Sequence, residues 1–216
     1  MLGSAAVTIW CDVAPEARAE FDDWHAHEHM PERLSIPGFL RGSRWVSEDG
    51  AYFMLYEAQD EATVTTGPYL ERLNDPTPWS RKMMPQHRNM VRSVCRVRCA
   101  FGAGLGRALL TARLSPRSDC AERLEAWLVS ELLPDLPSRK GLMAAQLLRN
   151  IAFPAAVQTT EQKIRGGDAA ADWIVLVSGY DAEAVTAVTA QMHEAPMTAG
   201  VYSLACLMNA GDVPVR

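Results

Sequence analysis

The chain has 216 residues, 48% of them hydrophobic, which is ample for one substantial core or two small fused ones. Its net charge of −5 leaves no spare basic stripe, and this argues against a nucleic-acid partner. Five cysteines (Cys11, Cys95, Cys99, Cys120 and Cys206) are an odd number without paired-ligand spacing, so neither a disulfide framework nor a zinc site is expected.

In chain order, residues 5–13 are apolar enough for a buried strand. Pro15 opens a helix that is expected to run to about Leu34. Residues 38–47 form the second strand, and Glu48-Asp49-Gly50 is a hairpin signal into the third, residues 51–58. Asp60 is a candidate N-cap for a second helical region, which Gly67-Pro68, Pro76 and Pro78 interrupt. Residues 90–101 read as the fourth strand, with Arg92, Arg96 and Arg98, together with Arg88, alternating as one solvated face. Gly102-Ala103-Gly104-Leu105-Gly106 follows. A strand and not a helix comes next, so this run is a linker and not a dinucleotide loop.

The same order then repeats, with strands expected near 107–114, 141–150, 172–180 and 199–208 and helices near 118–133 and 181–193. The spacing predicts an α+β chain of two ferredoxin-like β-α-β-β-α-β units, residues 1–102 and 107–216. The connection 151–171, with Pro154, Gly166 and Gly167, has no counterpart in the first unit. Its length is that of a lid, a contact arm or a disordered segment. No apolar run reaches the 18 residues of a membrane helix, and no signal peptide is evident, so a cytoplasmic protein with reduced thiols is expected.

The repeat is visible residue by residue. Placing Trp24 over Trp127 without gaps sets Glu28 over Glu131, Pro31 over Pro134 and Gly38 over Gly141. Further on, Tyr52 to Tyr56 stand over Trp173 to Val177, and Asp60 stands over Asp181. The copies part at three places: His25, His27 and His29 face Leu128, Ser130 and Leu132. The fold therefore does not require the imidazoles. At about 100° per residue, Phe21, Trp24, Glu28 and Pro31 share an apolar stripe. Glu28 and Glu131 are accordingly expected to be buried structural acids, bonded to backbone in the turns at Ser35 to Gly38 and Ser138 to Gly141. His25 and His29 are one turn apart at the edge of the stripe, with Arg33 a turn further. His27 points elsewhere, so a regular helix cannot aim all three at one metal ion.

The run Trp-x-x-x-Glu-His-x-Pro-Glu-Arg-Leu-x-x-Pro-Gly-Phe, here Trp24 to Phe39, resembles the signature of the dimeric α/β-barrel superfamily. It is most like uncharacterised members with two units in one chain, distantly EthD-like. The resemblance implies two four-stranded sheets facing each other in a barrel with helices outside, assembled here within one chain. It also implies a small-molecule ligand and a monomeric pseudo-dimer or a homodimer. The superfamily includes cofactor-independent oxygenases, isomerases, cyclases, haem enzymes and members without activity, so fold alone does not select a chemistry.

The resemblance and the residues together lead to the expectation of a cofactor-independent enzyme (lyase, isomerase, cyclase or oxygenase, the classes the resemblance implies) that moves a proton on a small carbonyl-bearing or aromatic molecule. His29 is the general base or acid, since imidazole both takes and gives a proton near neutrality. His25 sets its tautomer or shares the proton, and Arg33 holds an oxyanion. Trp45, Tyr52, Tyr56 and Trp79 are candidate aromatic walls. No metal or cofactor is expected. Two alternatives stand beside this: a metal or haem on His25 and His29, with His87, Glu57 or Glu32 as a further ligand, and a non-catalytic carrier.

Overall fold

A computed structural model describes residues 1–151, 158–192 and 197–213. The first half runs β1 (Ala5–Val13), α1 (Arg18–Trp24), α2 (Met30–Leu34), β2 (Phe39–Ser47), β3 (Tyr52–Ala58), α3 (Glu61–Thr65), α4 (Gly67–Asn74), α5 (Pro78–Met83) and β4 (His87–Gly102). The second runs β5 (Ala108–Leu114), α6 (Ala121–Trp127), α7 (Leu133–Asp135), β6 (Leu142–Asn150), α8 (Thr160–Arg165), β7 (Trp173–Gly179), α9 (Ala182–Ala187) and β8 (Met197–Asn209). Strand order is β1-β3-β2-β8-β5-β7-β6-β4, closed into an antiparallel barrel. Each half supplies four neighbouring strands, and the seams are β2 with β8 and β4 with β6. Every strand is therefore paired on both sides, which removes the open edges a four-stranded sheet would present.

The period-2 pattern decides the layers. On β1, Val7, Ile9, Cys11 and Val13 face the helices of the first half, while Ala6 and Trp10 face the barrel interior with Trp45, Phe53, Leu109 and Ile174. A separate leucine-rich core lies under the helices of the second half. Trp10 crosses the interior, its indole N–H donating to Thr111 Oγ1 at 3.0 Å, so the lumen is filled and not a channel.

Both caps expected from the repeat are present. Asp60 Oδ1 accepts the Thr63 N–H, and Asp181 Oδ1 accepts from Glu183 and Ala184. The helix-to-strand turns also match: Gly38 and Gly141 have φ of +94° and +91°, the left-handed region where a side chain is strained. In both, a Cβ would collide with the helix that follows the next two strands, at Thr63 of α3 and Ala184 of α9 respectively. The expected end of the last helical region at His193 and part of the 151–171 connection lie outside the described residues. Among the described residues no helix is long and apolar enough to cross a membrane.

Candidate functional site

At Trp24 the first helix changes its winding. The Met30 N–H donates to the His25 carbonyl, five residues back, so this turn holds one residue more than an α-turn. The same step recurs in the second half, where the Leu133 N–H donates to the Leu128 carbonyl. The wide turn resets which residues face the sheet. The inward stripe becomes Phe21, His25, His29 and Arg33, joined by Trp24, Met30 and Leu34, all of them buried.

This corrects the expectation for the paired acids. Glu28 is only half-buried, and it accepts from Thr77 Oγ1 at 2.5 Å and Ser80 Oγ at 3.5 Å, not from the turn at Ser35 to Gly38. That turn closes on itself, Ser35 N–H to Pro31 and Phe39 N–H to Ile36. Glu131 is exposed, because the wide turn rotates it off the apolar stripe. His27 is exposed too, its Nδ1 3.0 Å from the Asp23 carbonyl.

His25, His29 and Arg33 meet Tyr56 of β3, Tyr69 of α4, His87 and Arg92 of β4, and Glu161 and Arg165 of α8 around one cavity. It lies between the helices and the outer face of the sheet, not in the lumen. Its volume is about 30 Å³, room for about two waters. His25 Nε2 pairs with the Tyr56 hydroxyl at 2.9 Å. The His29 ring lies 4.4 Å from that of Trp24 and 5.8 Å from that of His25, centre to centre. The Nδ1 atoms of both histidines are buried without a hydrogen-bond partner among the described residues, a costly arrangement that recurs at functional sites.

Burial, reinforced by the charge of Arg44 and by His87, pushes the His25 pKa well below the usual imidazole value. Burial and then Arg33 do the same for His29. His87, again through burial, falls to about 4, with its Nδ1 bonded to the Met84 carbonyl. Burial raises the Tyr56 phenol. The cluster at neutral pH is therefore two neutral imidazoles and a neutral phenol beside the Arg33 cation. Burial opposes the charge on Arg33, but Glu161, Tyr69 and Glu32 outweigh it and raise its pKa. Arg33 bonds Glu161 and Glu32, and Arg92 bonds the Tyr69 hydroxyl at 2.7 Å.

Of the expected aromatic walls only Tyr56 reaches the cavity. Trp45 is turned into the barrel interior, its N–H on Ser43 Oγ. Tyr52 shares the face of Tyr56 but sits further along β3, against Phe21. Trp79 is half-buried with its N–H on Glu20. Four polar lining residues were not expected at the site from the sequence: Tyr69, Arg92, Glu161 and Arg165. Arg92 is buried and not on a solvated face. Its neighbours two residues away, Met90 and Val94, pack on the same apolar cluster, and that apolar pairing was the available signal. For Glu161 the sequence offered only the length of its connection.

Among the described residues no three His, Cys, Asp or Glu side chains are placed to hold an ion. Glu57 lies on the opposite face of β3 from Tyr56, paired with Arg41, and Glu32 is paired with Arg33 and Arg72. His87 packs against Phe21 and Trp24. A porphyrin does not fit in about 30 Å³.

The fold and site together define a class: a duplicated ferredoxin-like barrel in one chain, with a polar cavity under the helices of its first half that α8 of the second half closes. The sequence matches no protein-family model and no curated protein. Solved structures match along nearly the whole chain. One is an anthrone oxidase-like protein, with a TM-score of 0.62, 10% identity, and 98% of this chain and 94% of that one covered. Another is a candidate monooxygenase from Lactobacillus acidophilus NCFM, with a TM-score of 0.58, 10% identity, and 96% and 97% covered. A third is a candidate chlorite dismutase, with a TM-score of 0.54, 12% identity, and 98% and 97% covered. At such identities the likeness shows a shared fold, one that enzymes with oxidising chemistry also use.

Proposed function

We propose that the protein is an enzyme that removes a proton from a small carbonyl-bearing or aromatic molecule at His29, without a bound cofactor, in the manner of a cofactor-independent oxygenase or isomerase. One observation carries this reading: His25, His29, Arg33 and Tyr56 converge on one buried cavity, and their counterparts in the repeat are Leu128, Leu132, Leu136 and Val177. His29 is the base because the Nε2 of His25 is already engaged by Tyr56. A neutral imidazole accepts the proton, and the negative charge left on the substrate lies towards Arg33, a fixed cation in a dry site where such pairing is strong. The enolate or phenolate so formed is reprotonated elsewhere in an isomerase, or meets dioxygen in an oxygenase. The names of the fold relatives, an anthrone oxidase-like protein and a candidate monooxygenase, support the second branch. Kinship with the EthD-like branch rests on the Trp24 to Phe39 run alone.

The experiment is turnover and oxygen uptake over a panel of aromatic ketones and hydroxyaromatics, with His29→Ala as control. No turnover of any panel member, or full activity in His29→Ala, overturns the reading. A second reading, haem or a metal on His25 or His29, is favoured by the fold shared with a candidate chlorite dismutase. Like the first reading, it needs more room than the cavity of about 30 Å³ gives. A Soret band, or one metal ion per chain in the purified protein, establishes it in place of the first.

A further inference from the structure

The end of the cavity beside Arg33 is filled by an acid from the connection between β6 and β7, which has no counterpart in the first unit. Glu161 is 2% exposed and bonds Arg33 through one carboxylate oxygen and Arg165 through the other. Arg165 is also paired with Asp168, at 2.9 Å, so these two charges cancel within the segment. What the segment bonds to Arg33 is a single carboxylate, while Arg165, which also lines the cavity, stays paired within the segment.

Its partner in the body of the fold is Arg33. Arg33 on α2 and Arg92 on β4 flank Tyr69, each guanidinium 5.9 Å from the ring centre. Their elements belong to the body of the fold, whereas α8 belongs to the connection. Glu32 is shared between Arg33 and Arg72, so it neutralises Arg33 only in part. Without Glu161 this end of the cavity is a cationic, aromatic-walled recess beside two neutral imidazoles.

The way α8 is held differs from the other helices. Its one buried residue is Glu161, and it has no buried apolar side chain. It is closed on itself by a capping box between Thr159 and Gln162, so it keeps its shape as a unit. Beyond the ion pair, the Thr160 N–H reaches Asn74 Oδ1 at 3.1 Å. It ends on Gly166 and Gly167, with φ of +86° and +96° and open space around both. Just after them the chain is fixed again, Arg92 N–H to Ala169 O at 2.8 Å and Ala169 N–H to Met90 O at 3.2 Å. A short helix seated by one buried carboxylate and followed by two glycines has a hinge and a displaceable anchor.

We propose that the recess at Arg33 is a carboxylate subsite, which Glu161 fills when α8 is seated, and that the substrate carries a carboxylate that replaces Glu161 as α8 leaves. This deepens the reading above, since it rests on the substrate lying beside His29. The cavity of about 30 Å³ is then the self-occupied form. A ligand competes with a tethered carboxylate at high effective concentration, which lowers its apparent affinity.

Benzoate tests this by calorimetric titration, with benzamide as the uncharged analogue. Glu161→Gln is expected to bind benzoate at least about tenfold more tightly than the unaltered protein, because the competing occupant has lost its charge. Benzamide is expected to bind neither, and Arg33→Leu in the Glu161→Gln background is expected to abolish benzoate binding. Equal benzoate affinity with and without Glu161→Gln, or benzamide binding as well as benzoate, overturns the proposal. Should Glu161→Gln fail to fold, hydrogen exchange of the unaltered protein decides. Saturating benzoate is expected to speed exchange of the α8 amides while slowing that of residues 25–34, and unchanged or slower exchange in α8 refutes it. Benzoate binding needs no turnover, so an inactive protein that binds it sinks only the catalytic reading. An active one that ignores it sinks only the subsite.

Discussion

The two halves share a strand order, a five-residue step in the first helix and a glycine turn after it, yet they fill the same space with opposite chemistry. In the first half His25, His29 and Arg33 face the sheet. In the second the equivalent Leu128, Leu132 and Leu136 are buried in a leucine core. The wide turn is therefore a property of the unit, since it persists where no polar group uses it. The imidazoles are an addition to one copy. Two leucines make a dry contact that costs nothing to desolvate, whereas two unpaired imidazole nitrogens are tolerated at a price in stability.

The sharpest way to break the comparison is to make the first half like the second. His29→Leu is expected to lower turnover by about 10²–10⁴-fold, the usual scale for losing a general base, with a melting temperature unchanged or raised. His27→Ala, on the solvent side, is expected to leave both turnover and melting temperature as they were.

The next effect is on stability against pH. His25, His29 and His87 all have depressed pKa values in the folded protein, while in the unfolded chain they titrate near 6.5. Below that value the unfolded state binds more protons, so stability is present above about pH 6.5 and is lost as pH falls. Each histidine contributes a loss of about 1.4 kcal/mol per pH unit until its folded value is reached, which is about 4 for His87. Urea titrations between pH 7 and 5 measure the slope. His25→Leu with His29→Leu is expected to remove roughly two thirds of the slope that these three groups supply. An unaltered slope means that the two rings are not buried in neutral form.

Arg33→Leu reproduces Leu136 and removes one of the two partners of Glu161, leaving Arg165 on its other oxygen. A fully unpaired buried charge costs about 3–5 kcal/mol, an upper bound here because Arg165 still bonds Glu161. If α8 swings Glu161 into water, the cost is expected to be only the lost charged hydrogen bonds, about 1–3 kcal/mol. Denaturant unfolding separates the two, and a second substitution, Glu161→Leu, is expected to recover most of the loss.

The smallest effect distinguishes the paired acids. Glu28→Ala strands Thr77 and Ser80, which also accepts the Trp24 N–H, and is expected to cost about 1 kcal/mol. Glu131→Ala, at an exposed site, is expected to leave the midpoint unchanged. Equal losses at the two sites argue that both acids serve the turn after the helix.

The strand and helix order, the internal repeat and the concentration of histidines in one copy were legible in the sequence. Each depends on local periodicity, on turn residues such as Gly38 and Gly141, or on comparing the chain with itself. The facing of Glu28 and Glu131 was not legible, because a single five-residue step shifts the stripe after Trp24 and no residue type announces it. Nor was the fate of Trp45, since alternation on β2 fixes two faces but not which of them meets the helices. Tertiary structure alone decided the seams β2 with β8 and β4 with β6, and it alone brought Glu161 to Arg33 across 128 residues of chain. Such contacts are set by which charges and surfaces remain unsatisfied once every local element has formed, and that is a property of the assembled molecule.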